Sequence, residues 1–382
     1  MQLIYYIADL DFSNPNASTS RIIHNAKAIT TNNQNQVTLI GFGEDSRIMN
    51  NEFCIKNVKI GRGLIQKLIY YFWRGLFVIK LLKKEVQQPD LIVYYGCSTQ
   101  ILLPLLHYAH KRHIKIVTDI VEWYNYSHLP WGKFGPYALD VYLGITKYIP
   151  KCDGVVVIST YLQNYYISRN SKTIRVPALV DTENTEKTIG NIEPFDKKYL
   201  NLIYAGSPGK KDLVLNVIEA VEQLSSEGVS ILLHLLGPTK SDLEIRSKRH
   251  FSSAIICYGK ISQCLVPEYL NQADFSVFLR PTERYAQAGF PTKFVESMNA
   301  ALPVIANNTS DLPLYLKDRY NGFVVKDYSV KALIEVITGI TTIKKIEMKN
   351  MRNNSHRTAI ENFDYRLYSE DLSFFFHQII EK

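Results

Sequence analysis

Two glycine-containing turns in the second half of the chain carry lysines where a phosphate group could bind. The first lies in Leu202–Asp212, where a strand pattern is followed by Gly206 and then by Lys210 and Lys211. Glycine lets the backbone approach a ligand closely, and lysines near the first N–H groups of a helix suit a diphosphate. The segment is not a Walker A loop, because no Ser or Thr follows the lysines. A solvated turn with two lysines is the alternative.

The second turn opens the segment Gly289–Ile305. Gly289 precedes a helix whose first turn holds Thr292 and Lys293, so free N–H groups and an ammonium could hold an anion there. Glu296 lies one turn further along, where its carboxylate could accept hydrogen bonds from paired sugar hydroxyls. A capped amphipathic helix with a surface glutamate explains the same pattern, so the spacing alone leaves both interpretations open.

An acidic pair follows a strand pattern in the first half of the chain. Asp119 and Glu122, with Trp123 beside them, are expected to face the ligand cleft, where either carboxylate could accept the proton of an attacking hydroxyl. A helix N-cap is the alternative role for Asp119. Arg21, further upstream, could contact an acceptor phosphate or be an ordinary surface arginine.

The sequence contains no recognisable metal site. The nine histidines lack an HExxH-like pairing, the five cysteines form no CxxC pair, and we interpret Asp9-Leu-Asp11 as coincidence. Odd, scattered cysteines also argue against a disulfide framework and favour a reducing, cytosolic compartment. We therefore expect neither a metal nor a cofactor.

Repeated βα units must position these residues. Short apolar or β-branched runs alternate with helix-length segments, the pattern of buried parallel strands. The polar segment 181–198 separates two such series. We therefore predict two Rossmann-like α/β domains, 1–185 and 196–361, facing a central cleft, with a last helix over about 362–382 packing back on the first. The predicted strands are 3–7, 36–40, 91–95, 114–118 and 154–158, then 201–205, 230–236, 253–257, 275–279, 302–306 and 322–325.

Composition excludes a disordered protein. The chain has 382 residues, of which 46% are hydrophobic and 12% aromatic, enough for two domains. The N-terminus lacks the features of a signal peptide, and no uncharged apolar run reaches membrane-spanning length. Of the net charge of +8, +7 falls in residues 1–190. The basic half is therefore expected to face an anionic partner.

The segment 67–84 extends that expectation to a membrane surface. As a helix it would place Leu68, Phe72 and Val78 on a charge-free arc, while the other arc mixes aromatic residues with five cations. One face could pack on the domain while the other rests on anionic lipid, with the cationic side chains reaching the headgroups. A wholly buried helix is the alternative, and it accommodates five cations poorly. The cations are Lys67, Arg74, Lys80, Lys83 and Lys84.

The order of motifs in the second half resembles that of retaining GT-B glycosyltransferases of family 4. The resemblance covers about residues 199–330, and the combination is specific although no single motif is. The motifs are Ala205-Gly206 with Lys211-Asp212, Leu236-Gly237, Tyr258-Gly259-Lys260-Ile261, Ala273-Asp274-Phe275, GFPTKFVESM, LPVIANNT and Asn321-Gly322.

The resemblance implies a role for each matching residue. Lys211 or Lys210 would hold the donor pyrophosphate, and the turn at Lys260 and Ile261 would contact the nucleotide base. Glu296 matches the second glutamate of the family's E-x7-E pattern, which binds the ribose. The residues predicted to bind the donor are Gly206, Lys210, Lys211, Lys260, Ile261, Gly289, Thr292, Lys293 and Glu296.

The chain departs from the family at the first glutamate of that pattern. Ala288 stands there, and Glu283, in Arg280-Pro-Thr-Glu283, is our candidate replacement. The residues predicted to act in catalysis are Asp119, Glu122, Glu283 and Lys211.

The implied function is transfer of a sugar, with retention, from a nucleotide-sugar donor (a UDP-sugar) to a lipid-diphosphate-linked saccharide. This would be a step of bacterial surface polysaccharide synthesis of the O-antigen or capsule type, at the inner face of the cell membrane. No nucleic-acid partner is expected. A non-catalytic or degenerate basic membrane-binding protein of the same fold is the alternative. A nucleotide-sugar dehydrogenase or epimerase is excluded because ADLDFSNPNAS, not GxGxxG, follows the first strand.

Overall fold

The structure is a computed structural model that describes residues 1–33, 35–43, 47–49, 53–59, 63–169, 171–183, 193–207, 209 and 212–381, without the side chains of 47–49, 64–69 and 71. The chain divides into two compact domains. The first comprises Met1–Leu179 and Tyr365–Lys382, and the second comprises Val180–Asp364.

The first domain is an eight-stranded sheet with helices between most successive strands. Its strands are β1 (Gln2–Ala8), β2 (Asn35–Gly43), β3 (Arg47–Met49), β4 (Cys54–Lys59), β5 (Leu91–Tyr95), β6 (Lys115–Ile120), β7 (Gly154–Val157) and β8 (Thr173–Arg175). Its helices are α1 (Ala17–Thr30), α2 (Leu64–Leu82), α3 (Thr99–Arg112), α4 (Pro136–Leu143), α5 (Thr160–Ile167) and the last helix, α14 (Ser369–Ile380). The spatial order is β3-β4-β2-β1-β5-β6-β7-β8, with only β3 antiparallel to its neighbour.

Strand β1 lies in the interior of this sheet because its residues are apolar on both faces. Ile4 pairs with Val37 on one side and Leu91 on the other, and Leu3–Ala8 are all buried. Such strands require cover on both faces. Helix α14 supplies part of that cover through Leu372, Phe376 and Ile379, which are buried in the same core as Ile4.

The second domain is a six-stranded parallel sheet of the doubly wound type. Its strands are β9 (Leu200–Ala205), β10 (Ile231–Leu236), β11 (Ile255–Gly259), β12 (Phe275–Phe278), β13 (Val304–Asn307) and β14 (Gly322–Val325), in the order β11-β10-β9-β12-β13-β14. Its helices are α6 (Val214–Ser226), α7 (Lys240–Ser247), α8 (Val266–Gln272), α9 (Arg284–Ala288), α10 (Thr292–Asn299), α11 (Leu312–Tyr315), α12 (Val330–Ile340) and α13 (Lys345–Asn362).

All eleven strands expected from the sequence are present, and their ends lie within two residues of the predicted ones, except that β2 continues three residues beyond its predicted end. Strands β3, β4 and β8 were not predicted. In β4 the polar residues Lys56 and Asn57 interrupt the apolar pattern. Half of the polar segment 181–198, namely 184–192, lies outside the described residues. Within the described residues, no helix has the length and apolar character that would let it cross a bilayer.

Candidate functional site

The order of the strands creates one natural ligand position in the second domain. From β9 the chain proceeds through β10 to β11 on one side of the sheet, whereas β12 starts the series on the other side. Loops that leave the carboxyl ends of β9 and β12 therefore diverge, and ligands of doubly wound sheets bind at such a point. Gly206 directly follows β9, and Arg280 lies two residues after β12.

The backbone around Gly206 is held in a conformation that excludes side chains. Gly206 has φ +136°, and its N–H donates to Leu236 O. A Cβ on Gly206 would lie 3.4 Å from Lys293 Nζ. Gly237 has φ +115°, and a Cβ there would lie 2.5 Å from Gly206 O. Glycine is required at both positions by conformation, and at Gly237 also by the close backbone approach.

Four side chains meet beside Gly206, and we call them the Lys293 cluster: Tyr204, Asp212, Arg280 and Lys293. Lys293 Nζ lies 2.5 Å from Asp212 Oδ2, and Tyr204 Oη donates to the same oxygen at 2.8 Å. Arg280 Nε lies 3.6 Å from Asp212 Oδ1. Lys293 Nζ also lies 3.8 Å from the centre of the Tyr204 ring, a cation–π distance. With Asp212 ionised, the cluster has one excess positive charge.

Burial makes these charges sensitive to one another. The charged side chains are 5–14% exposed. Burial alone would raise the pKa of Asp212, but Lys293 and Arg280 outweigh it and bring that pKa below its usual value. Burial lowers the pKa of Lys293, and the Asp212 carboxylate partly offsets this effect. The lysine therefore keeps its charge mainly because an anion faces it.

Arg280 is positioned by the neighbouring strand. The Asn307 side chain, at the end of β13, accepts from Arg280 N and donates to Arg280 O, each at 2.8 Å. This double hydrogen bond fixes the backbone from which the guanidinium reaches Asp212. From the sequence we named Arg280 as the start of the motif that contains Glu283, and we did not expect Asp212 to be its partner.

Glu296 lies one turn after Lys293 on α10, so that both side chains occupy the same side of the helix. The pKa of Glu296 is raised, because the effect of burial exceeds the opposing effect of the Lys293 ammonium. Within the described part of the chain, the Glu296 carboxylate has no hydrogen-bond donor at bonding distance, although it is half-buried. A hydroxyl-rich ligand could satisfy such a carboxylate.

The predicted base-binding turn, Lys260 and Ile261, directly follows β11, which lies two strands from β9 in the same sheet. Gly206 N donates to Leu236 O, and Gly237 N donates to Gly259 O, so the ends of β9, β10 and β11 are joined. Lys260 follows directly and is exposed, while Ile261 is half-buried against the core cluster around Phe195. The two residues therefore stay candidates for base contacts.

The remaining donor-side predictions differ in outcome. Gly289 is buried and precedes α10, whose first residue is Thr292. Ala288, at the position of the missing glutamate, is fully buried, so its side chain faces the core. Glu283 is exposed, and both Glu283 and Arg280 influence the pKa of Tyr285, which burial raises. Lys210 and Lys211 lie outside the described residues.

Asp119 requires a correction, because it does not face open space. It is completely buried within β6 and accepts from Tyr6 Oη at 2.5 Å, Asn25 Nδ2 at 3.2 Å and Arg21 NH2 at 2.8 Å. Arg21 is itself buried and also donates to Val176 O and Pro177 O, so it is neither a surface residue nor available to an acceptor phosphate. This buried network stabilises the first domain, and its donors occupy both carboxylate oxygens of Asp119, so the residue is not accessible to a substrate hydroxyl.

Glu122 remains a candidate after this correction. It follows β6, is half-buried, and contributes with burial to the raised pKa of Tyr124, Tyr137 and Cys97. Its neighbour Trp123 is buried and packs edge-to-face on Tyr165, with ring centres 4.8 Å apart. Trp123 is therefore a core residue and not the ligand-facing aromatic that we expected.

Sequence reasoning missed a polar network at the corresponding point of the first domain, between β1 and β5. Asp9, after β1, accepts from Tyr70 Oη at 2.6 Å and pairs with Arg74 NH1. Arg74 NH2 donates to Ser98 Oγ at 2.7 Å, and Ser98 Oγ donates to Asp140 at 2.8 Å. Arg74 is buried, so it is not one of the exposed cations that we assigned to the 67–84 helix. The sequence feature that could have indicated this network is Asp9, an acidic residue directly after the first strand.

Across the parts of the chain that the structure describes, no three His, Cys, Asp or Glu side chains come together as a metal site would require.

Residues 185–358 match the family model described as Glycosyl transferases group 1. This match coincides with the second domain and includes the Lys293 cluster. No curated protein sequence matches the chain.

Solved structures resemble the whole chain. Sucrose-phosphate synthase (tll1590) from Thermosynechococcus elongatus is 12% identical, with a TM-score of 0.73 and full coverage of both chains. Anabaena Alr3699/HepE in complex with UDP and glucose is 12% identical, with a TM-score of 0.69 and coverage of 99% of this chain and 100% of that one. WaaG, a glycosyltransferase involved in lipopolysaccharide biosynthesis, is 14% identical, with a TM-score of 0.67 and coverage of 98% and 99%. The likeness establishes the α/β fold of GT-B glycosyltransferases, and the family match supports that enzyme class.

Proposed function

We propose that this glycosyltransferase moves a sugar, with retention, from a UDP-sugar to a lipid-diphosphate-linked saccharide, as a family 4 enzyme of bacterial surface polysaccharide synthesis. The single observation that carries the donor half of the proposal is the Lys293 cluster. It places two cations beside a side-chain-free backbone at the switch point of the domain that matches the family model. That combination suits a diphosphate.

In the proposed complex, the donor diphosphate lies over Gly206 and contacts Lys293 and Arg280. The phosphate then shares Lys293 with Asp212, whose carboxylate lies 2.5 Å from that ammonium. The proposal also assigns Lys210 and Lys211 to the diphosphate and Thr292 N–H, at the start of α10, to its terminal oxygens. UDP is the nucleotide bound in the Alr3699/HepE structure, which supports this choice of donor.

The nucleoside would extend from the diphosphate along the ends of β9, β10 and β11. Glu296 would accept hydrogen bonds from the ribose hydroxyls, because its half-buried carboxylate lies one turn from Lys293. Lys260 and Ile261 would contact the base with their backbone. Glu283 would take the place of the carboxylate that Ala288 lacks, and Gly289 would leave room for the sugar.

The cations would act on the leaving group. As the bond between the anomeric carbon and the diphosphate breaks, negative charge grows on the phosphate oxygens. Lysine and arginine held in a poorly solvated site stabilise that charge more than water does. A front-face displacement, in which the acceptor hydroxyl passes its proton to the leaving phosphate, gives retention without an enzyme nucleophile. Glu122 is the first-domain candidate for orienting that hydroxyl.

The acceptor and location rest on different observations. Of the net charge of +8, +7 falls in residues 1–190, which suits an anionic lipid diphosphate and an anionic membrane surface. WaaG, one of the similar structures, is described as acting in lipopolysaccharide biosynthesis. We propose peripheral attachment at the cytoplasmic face of the membrane, through the helix within 67–84.

The decisive experiment is binding of UDP, GDP and their sugars to wild-type protein and to Lys293→Met, followed by transfer assays with lipid-linked acceptors. Lys349→Met, an exposed lysine on α13, is the matched control. We expect UDP to stabilise the wild type and the control, and to bind Lys293→Met at least about 10-fold more weakly. Equal UDP affinity in all three proteins would refute the placement of the donor.

A second candidate function is a degenerate, non-catalytic protein of the same fold, and the buried Ala288 in place of the first glutamate favours it. UDP binding without donor hydrolysis or transfer to any acceptor would identify this case. Turnover that Glu283→Gln abolishes would exclude it.

A further inference from the structure

A groove of about 530 Å³ lies between α2 and α3 in the first domain, away from the carboxyl ends of the strands. The two helices touch at Gly75, where a Cβ would lie 2.1 Å from Gln100 O. From there the groove follows the later turns of both helices. Its lining residues are Leu76 and Ile79 on α2, Lys83 directly after α2, and Pro104, His107, Tyr108, Lys111 and Arg112 on α3.

The groove is apolar near the middle of the helices and cationic at their ends. On α2 one stripe at helical spacing runs from Phe72 through Leu76 and Ile79 to Lys83. Phe72, Trp73 and Leu76 are 63%, 56% and 50% exposed, which is unusual for side chains of this size. A ligand that fits this pattern has an apolar tail and an anionic head.

The cations at the end of the groove lack acidic partners. Lys83, Lys111 and Arg112 are exposed, and no described carboxylate lies within ion-pair distance of any of them. The nearest acids along the chain are engaged elsewhere: Glu85 pairs with Lys56, and Asp90 accepts from Leu3 N. Cations do favour helix C-termini. That effect does not explain three of them converging on one apolar groove.

We propose that this groove binds one anionic phospholipid of the bilayer, with its phosphate between Lys83, Lys111 and Arg112 and its first acyl carbons along Leu76 and Ile79. The inference deepens the proposed function, because it assigns the membrane contact to a discrete site. Phe72 and Trp73 would enter the interfacial layer beside the bound lipid. The groove belongs to the first domain alone and uses none of the residues assigned to the donor.

The test is co-sedimentation of the full chain with vesicles of equimolar phosphatidylglycerol and phosphatidylcholine, compared with pure phosphatidylcholine vesicles. The variant is Lys83→Glu/Lys111→Glu/Arg112→Glu. The control, Lys331→Glu/Lys345→Glu/Lys349→Glu, makes the same charge change at exposed positions of the second domain. Since each cation near an anionic surface contributes about fivefold, we expect the variant to lose about 100-fold or more in partitioning and the control to lose less than about threefold.

Equal losses in the variant and the control would overturn the site, because net charge alone would then explain binding. Full binding by the variant, or binding of the wild type to RNA but not to vesicles, would overturn it too. Leu76→Ser tests the apolar part of the groove. It should weaken partitioning at high salt, where the contribution of the cations is screened. UDP binding is measured in parallel. Its absence from the wild type refutes the proposed donor site and leaves the lipid result standing.

Discussion

Asp212 sets how much positive charge the Lys293 cluster offers to an anion. Its carboxylate contacts Lys293 at 2.5 Å, faces Arg280 at 3.6 Å and accepts from Tyr204 at 2.8 Å. Asp212→Asn keeps the shape of this side chain and removes its charge, so the formal charge of the cluster rises from +1 to +2. Two effects of opposite sign should follow.

Donor binding should become tighter. A phosphate about 6 Å from the carboxylate is repelled by about 3 kcal/mol at an effective dielectric constant of about 20. Salt and the partial exposure of the cluster reduce that figure to about 1–2 kcal/mol, or about 5- to 30-fold in UDP affinity. Stability should fall by about 2–4 kcal/mol, because two buried cations lose their counter-ion. The melting temperature would drop by about 5–12 °C.

Isothermal titration with UDP and thermal unfolding measure the two effects in the same samples. Lys293→Met is the opposing variant, since it weakens UDP binding while Arg280 and Tyr204 continue to partner Asp212. The UDP affinity of Asp212→Asn should approach that of the wild type as salt is raised. Unchanged or weaker UDP binding by Asp212→Asn at low salt would refute the charge argument.

Three further predictions concern the supporting structure. Burial lowers the pKa of His234 to about 4, so this side chain stays neutral in the folded protein above that pH. The unfolded chain binds a proton there below about pH 6.5, so the free energy of unfolding should decrease as the pH is lowered from about 6.5 to about 4. Urea unfolding should show a loss of about 3 kcal/mol across that range, and His234→Gln should remove this component. Gly237→Ala should cost at least about 2 kcal/mol and impair UDP binding, because its Cβ meets a carbonyl oxygen. Gly339→Ala, on α12 with open space around it, should neither lower the melting temperature nor change UDP binding. Asp119→Asn should destabilise the first domain by about 3–5 kcal/mol in denaturant titrations while leaving UDP affinity unchanged; weaker UDP binding would contradict its structural role.

The sheet of the second domain could be predicted well because its strands are buried on both faces. Leu202, Ile203 and Tyr204 are almost fully buried, as an uninterrupted apolar run indicates. Strand β4 was missed because Lys56 interrupts the apolar run, and its charge is balanced there by Glu85, which is distant in sequence.

The candidate site could be predicted only in part. Gly206, Lys293 and Glu296 follow from local spacing, since glycine turns and helix starts are decided by neighbouring residues. Asp119 was wrongly expected to face a ligand, because local sequence does not reveal that Arg21, nearly a hundred residues earlier, reaches the same carboxylate. Ion pairs between residues that are far apart in the sequence leave no periodic pattern from which they could be predicted.

By itself, the sequence determined the rhythm of βα units, the glycines at the strand ends and the excess of positive charge in the first half. Each follows from the chemistry of adjacent residues. Only the tertiary structure decided which charges are neutralised. It pairs Arg74 with Asp9 and Lys293 with Asp212, yet leaves Lys83 and Arg112 exposed beside a groove. Burial and distance control how strongly two charges interact, and both are properties of the folded chain.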